Sequence, residues 1–180
     1  KDIIAYLKVI QNPADNISLK RIINTPKRGI GNATIERIEE YALAQGESIY
    51  EALLSLDEIT SLTARAKNSL KPFMDMMNTL MAKMEVMGVR ELIEDVIHSS
   101  GYIESLKKDG TVESRTRIEN IEEFLSVALS FEERNPGESL EDFLASVSLL
   151  SDVDKTIDAD NVVTMMTVHS AKGLEFKAVF

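Results

Sequence analysis

Between Ala66 and Met87 the apolar residues Ala66, Leu70, Phe73, Met77, Leu80, Met84 and Met87 follow one another in alternating steps of four and three. A strand sends successive side chains to opposite faces, so this spacing makes a continuous apolar seam on an α-helix and on nothing else. Pro72 lies inside the run and predicts a kink or a helix start there, and Gly88 ends the helix. A helix with one long apolar face must bury it against other elements. The flanking sequence supplies them. Helices are expected over Asp2 to Gln11, Ser18 to Asn24, Asn32 or Thr34 to Gln45, a short segment opened by Ser48, Val89 to Ser99, Tyr102 to Lys107, Val112 to Arg134, and Ser139 to Leu150. Asn12-Pro13 stops the first, Gly46 suits the left-handed end of the third, and Ser48-Ile49-Tyr50-Glu51 is a capping box. Six of the eight methionines fall between Met74 and Met87, where core filling is the simplest use; Met74, Met76 and Met81 lie off the seam and leave an adaptable partner surface open.

The last thirty residues change character. Ser151 to Asp160 is acidic and poor in apolar residues, as a linker would be, whereas Asn161 to Val168 is β-branched and methionine-rich and predicts a buried strand. His169 to Gly173 turns the chain, and Phe176 to Phe180 reads as a second strand cut short, so the chain is expected to be a fragment. The fold class is therefore mainly α: a compact multi-helix subdomain over residues 1–157 with a helix-hairpin-helix-like element, then a β segment over 158–180 cut from an α/β unit.

Composition removes several functions. At 44% hydrophobic and 28% charged, the chain can bury a core and is not disordered. No apolar run approaches the roughly 18 residues of a membrane span, and no basic-then-apolar leader opens the sequence, so it reads as soluble and intracellular. The absence of cysteine excludes thiol nucleophiles and thiolate metal sites. His98 and His169 are the two imidazoles, too few for a protein-only zinc site, and no metal ligands are expected. Glu119, Glu122, Glu123 and the pair Glu132-Glu133 fall opposite the apolar Ile118, Ile121 and Leu125 and predict a solvated helix face. The net charge of −10 argues against a coat for nucleic acid, yet residues 1–37 hold seven Lys or Arg against three acidic residues. Any grip on a polyanion is local and N-terminal.

Two segments carry chemistry. In Thr25-Pro26-Lys27-Arg28-Gly29-Ile30-Gly31 the paired glycines let backbone approach a phosphate, the amides of the following helix start can point at it, Ile30 anchors the turn in the core, and Lys27 and Arg28 add charge. An ordinary Pro and Gly turn would use the same residues. Its place in the basic stretch of an acidic chain is what favours DNA, read by backbone and independent of sequence. The second segment, Thr167-Val168-His169-Ser170-Ala171-Lys172-Gly173-Leu174-Glu175-Phe176, sets a polar loop at the end of a strand, where α/β folds place ligands.

These segments resemble a known family. The second is similar to motif V of superfamily 1 DNA helicases, the first resembles the hairpin of subdomain 2B in the UvrD, PcrA and Rep group, and Lys1 to Leu7 resembles the start of that subdomain. The resemblance covers the whole chain. It implies that residues 1–157 are the 2B-like accessory subdomain and that 158–180 begin the returning 2A-like motor segment. It also implies duplex DNA at Thr25, Lys27, Arg28, Gly29, Ile30 and Gly31, single-stranded DNA at His169, and nucleotide at Gly173 and Glu175. The parent would be a cytoplasmic ATP-dependent 3′–5′ DNA helicase of repair and replication. ATP and Mg2+ would be its cofactors, double- and single-stranded DNA its substrates, and repair or replication proteins further partners.

The chain has no Gly-x-x-x-x-Gly-Lys-Ser/Thr loop, so no catalytic residue and no bound cofactor are expected within it. Leu53 to Glu58 looks superficially like a magnesium-binding strand end, but reads as a helix end followed by a loop. A rival reading makes the acidic helices the working part, in an autoinhibitory or partner-docking module with little DNA binding of its own.

Overall fold

The computed structural model describes residues 1–153. These residues form α1 (Asp2–Gln11), α2 (Asn16–Ile22), α3 (Asn32–Gln45), α4 (Ile49–Leu54), a single 3-10 turn (Leu56–Glu58), α5 (Ala64–Met84), α6 (Val89–Ser100), α7 (Tyr102–Asp109), α8 (Val112–Arg134) and α9 (Leu140–Val153). No strand occurs among them. The strands expected over 161–168 and 176–180, and the border expected after residue 157, lie outside the described residues. Lys1–Val147 is one compact unit; the other, Ser148–Phe180, falls mostly outside the described part.

The core is built around α1, which packs on α2, α5 and α6. Neighbours on several sides explain why its burial exceeds a single face: Ala5, Tyr6 and Val9 join Ile3, Leu7 and Ile10 in the interior. Each large apolar side chain withdrawn from water contributes about 1.5–3 kcal/mol. A second layer follows as α6 packs on α8 and α7 on α8. Phe143 of α9 is fully buried between Phe124 and Phe131 of α8, with ring centroids 5.6 and 5.2 Å away.

The long seam forms one helix as far as Met84; Met87 lies beyond its end, which comes before the stop expected at Gly88. α5 starts at Ala64, where Thr63 Oγ1 accepts the Ala66 amide at 3.2 Å, and runs through Pro72. Pro72 is therefore interior to the helix and does not begin it. It lies on the exposed side, where the Asn68 carbonyl it leaves unbonded can meet water. Leu70, Phe73, Met77 and Leu80 are buried as the spacing requires. Met74 is buried as well, and Met76 and Met81 pack partly against the core, so the off-seam methionines also serve as filler.

Several details differ from expectation, among them two helix ends and one side chain. α2 begins at Asn16, because Asp15 accepts the Ser18 amide at 3.0 Å and acts as the cap. α9 continues to Val153 into the expected linker, where no proline or glycine stops it. Glu132, expected on a solvated face, instead reaches the start of α6. There its Oε1 accepts the Arg90 amide at 3.2 Å, a service that Gly88 at the cap position cannot perform.

Candidate nucleic-acid interface

The turn between α2 and α3 is assembled from the inside outward. The last carbonyls of a helix need donors. At the end of α2 and in the turn beyond it Thr25 and the Arg28 side chain supply them: the Thr25 amide donates to the Ile22 carbonyl at 2.9 Å, and Arg28 Nη1 donates to the carbonyls of Ile22 (3.0 Å), Ile23 (3.4 Å) and Pro26 (3.2 Å). Nη2 donates to the Tyr6 hydroxyl at 2.6 Å, and that hydroxyl donates onward to the Thr25 carbonyl at 2.6 Å. Burial pushes the Tyr6 phenol up from its ordinary pKa, against the opposing pull of Arg28. The guanidinium carbon also sits 5.1 Å from the centroid of the Phe73 ring on α5. Such a contact is worth about 0.5–2 kcal/mol.

Asn24 organises the backbone that follows. Its Oδ1 accepts the amides of both Arg28 (2.8 Å) and Ile30 (3.2 Å), while the Ile30 side chain is 2% exposed in the core. The intervening Gly29 has φ +76°, a conformation that favours glycine. Gly29, Gly31, Asn32 and Ala33 are exposed, and their amides have no hydrogen-bond partner among the described residues. The last two belong to the first turn of α3, whose cap residue, Gly31, contributes no side-chain hydrogen bond. A helix start left this way carries a partial positive charge and donors suited to an anion.

The six residues expected at duplex DNA therefore share one turn but divide by exposure. Lys27, Gly29 and Gly31 are exposed. Thr25 is half-buried with its hydroxyl donating to the Arg21 carbonyl at 3.0 Å, Arg28 is half-buried with its guanidinium directed into the fold, and Ile30 is core. The basic stretch is thinner than its sequence: Lys20 pairs with Glu39 at 2.8 Å and Arg21 with Asp2 at 2.7 Å. Lys27 has no ion-pair partner among the described residues, and neither do Lys8 and Arg37. His169, Gly173 and Glu175 lie outside the described residues.

The model of the UvrD-like helicase C-terminal domain matches residues 1–180. The chain belongs to that family. This UvrD-like domain is 43% identical over its full length to a stretch of the ATP-dependent DNA helicase PcrA of Staphylococcus aureus (strain Mu50), and 44% identical to that of Staphylococcus epidermidis (strain RP62A). In each case the UvrD-like domain spans a quarter of the relative's length. No helix among its described residues is long and apolar enough to cross a membrane.

Asn24 and Tyr6 were not singled out by sequence reasoning, whereas the Asn32 and Ala33 amides belong to the helix start that it named. Asn24 carried a usable signal, since an Asn just past a helix end and ahead of Thr-Pro commonly accepts backbone amides of the turn. Tyr6 carried none, because nothing in α1 marks which of its buried residues faces the turn.

Proposed function

We propose that this chain is the accessory 2B-like subdomain of an ATP-dependent 3′–5′ DNA helicase acting in repair and replication, and that it holds duplex DNA by the α2–α3 turn. In this reading the Gly29, Gly31, Asn32 and Ala33 amides bond phosphate oxygens, Lys27 adds the charge, and Thr25, Arg28 and Ile30 shape the turn. His169 would touch the single strand, and Gly173 and Glu175 the nucleotide, with ATP and Mg2+ bound by the longer protein. The relation to PcrA supports the parent activity; the geometry of the turn supports the duplex contact.

One observation carries it. Gly31 has φ −89° and ψ 164°, which any residue adopts, and a Cβ added there would meet nothing within 4 Å. The fold has no need of glycine at this position, and a serine would cap α3 better by a few tenths of a kcal/mol. Close approach of something outside the chain does need it. Gly31→Ser is therefore expected to hold or slightly raise the melting temperature while weakening binding of a mixed-sequence duplex, measured by fluorescence anisotropy at low salt. Duplex affinity equal to that of the unsubstituted chain, or no duplex affinity in either protein, would remove the proposal and favour the partner-docking reading.

A further inference from the structure

We infer that Arg28 and Asn24 are positioning residues for the duplex contact, and that Arg28, though the second cation of a Lys-Arg pair, bonds no phosphate. The inference rests on the duplex reading above and assigns work within that site. The Arg28 fork is occupied on both arms: three main-chain carbonyls take Nη1, the Tyr6 hydroxyl takes Nη2, and the Phe73 ring lies 5.1 Å from its centre. Turning it out to a phosphate would take the donor from the Ile23 and Pro26 carbonyls and from the Tyr6 hydroxyl oxygen, while the Ile22 carbonyl would keep the Thr25 amide at 2.9 Å. A buried acceptor left without a donor loses about as much as a new charge-assisted bond would return.

What these two residues accomplish is a division of the amides. Asn24 Oδ1 draws the Arg28 and Ile30 N–H groups inward at 2.8 and 3.2 Å, and Arg28 draws the carbonyls of Ile22, Ile23 and Pro26 toward its own fork. The amides of Gly29 and Gly31, interleaved with the inward pair, stay unpartnered. An anion site made of alternate amides depends on the other set being held. The fork also joins the turn to α1 through Tyr6 and to α5 through Phe73, so the site is braced by the core of the unit.

Salt dependence separates positioning from contact. Each phosphate neutralised by a side-chain cation contributes about −0.9 to the slope of log affinity against log salt on B-DNA, whereas a neutral amide contributes little. The measurement is anisotropy of a labelled duplex of about 20 base pairs with the full 180-residue chain, across roughly 50–200 mM salt, where such slopes are well resolved. Circular dichroism melts fix a temperature at which every variant is folded. Lys27→Ala is expected to flatten the slope by about 0.9. Arg28→Gln and Asn24→Ala are expected to lower affinity about tenfold or more, the loss of at least one bond to a charged group, while the slope stays that of the unsubstituted chain.

Arg28→Lys keeps the charge and loses the fork, so it is expected to bind as poorly as Arg28→Gln. Should Arg28→Gln flatten the slope as Lys27→Ala does, or Arg28→Lys restore affinity, Arg28 touches phosphate and the inference is overturned with the duplex reading intact. Unchanged affinity in Arg28→Gln and Asn24→Ala would show the two residues to be structural alone and overturn it as well. A chain that binds no duplex at all overturns the underlying reading. If Arg28→Gln does not fold, Asn24→Ala and Arg28→Lys decide between the same outcomes.

Discussion

Asp2 ties three helices with one carboxylate: from α1 it accepts Arg21 Nε of α2 at 2.7 Å and the Tyr102 hydroxyl of α7. Burial pushes the Asp2 carboxyl up, but the hydrogen bonds from Tyr102 and Arg21 together with the Arg21 charge outweigh it and leave the pKa below the ordinary range. The Tyr102 phenol moves the other way, up to about 12, through burial and then the Asp2 carboxylate it bonds. A carboxyl depressed in the folded state adds stability above its unfolded pKa, near 4, and loses it as pH falls through the folded value. Asp15, Asp95 and Asp142 are depressed too. The melting temperature is therefore expected to change little from pH 7 to 5 and to fall below about pH 4. Asp2→Asn should cost about 1–2 kcal/mol at pH 7 and make the acid limb shallower, and urea titrations at a series of pH values check both. The same scale shows what the sequence hid at the candidate site. Lys27 and Arg28 look equivalent as letters, and the burial of Ile30 between the two glycines was legible. The acceptors that hold the guanidinium, on α1 and at the end of α2, come from tertiary packing and were not.

Element boundaries were read best where the chain carries its own caps. Gly46 ends α3 in the left-handed conformation at φ 72°, and Ser48 and Glu51 make both bonds of the capping box at α4. α1 and α8 run over the residues the periodicity marks, Asp2–Gln11 and Val112–Arg134. The start of α6 was read at Val89, but its capping partner was not, because the cap comes from another helix. Glu132 of α8 accepts the Arg90 amide, and a Cβ on Gly88 would stand 2.5 Å from its Oε1. Glycine at 88 thus makes room for a capping carboxylate that lies 44 positions further along the chain. Glu132→Ala should destabilise by about 1 kcal/mol, the usual loss for a removed cap, and Glu132→Gln should retain much of it. Gly88→Ala pushes the same carboxylate aside, so the two substitutions share one interaction and their effects should not add. A double-mutant cycle by denaturant unfolding tests this: a sum equal to the two single effects would mean that Glu132 does not cap α6.

At the scale of the whole molecule, an acidic body carries a small basic corner, and pairing makes that corner smaller still. Of the cations near the turn, Lys20 and Arg21 are matched by Glu39 and Asp2. What is left at the turn is mostly neutral main chain, and in the proposed reading this is how a chain of net charge −10 would meet a polyanion. Family was legible because functional loops restrict residue identity, whereas the helices between them restrict little beyond apolar spacing; hence the resemblance rested on the two ends while the middle yielded a fold class. The same contrast bears on catalysis. The contacts proposed for Gly173 and Glu175 would only touch a nucleotide; holding and cleaving its triphosphate takes a loop of amides with a lysine and a metal-binding hydroxyl. That loop is absent from this sequence, which spans a quarter of the PcrA relatives. The purified 180-residue chain is expected to release no phosphate from ATP with or without single-stranded DNA. Coupling between two sites further requires that one ligand bind two states differently. With the triphosphate unheld, ATP and Mg2+ should leave the duplex affinity of the chain where it was. Phosphate release that DNA stimulates and that follows the chain through gel filtration, or an affinity that ATP shifts, would place nucleotide chemistry inside this segment and overturn the assignment of its role as accessory.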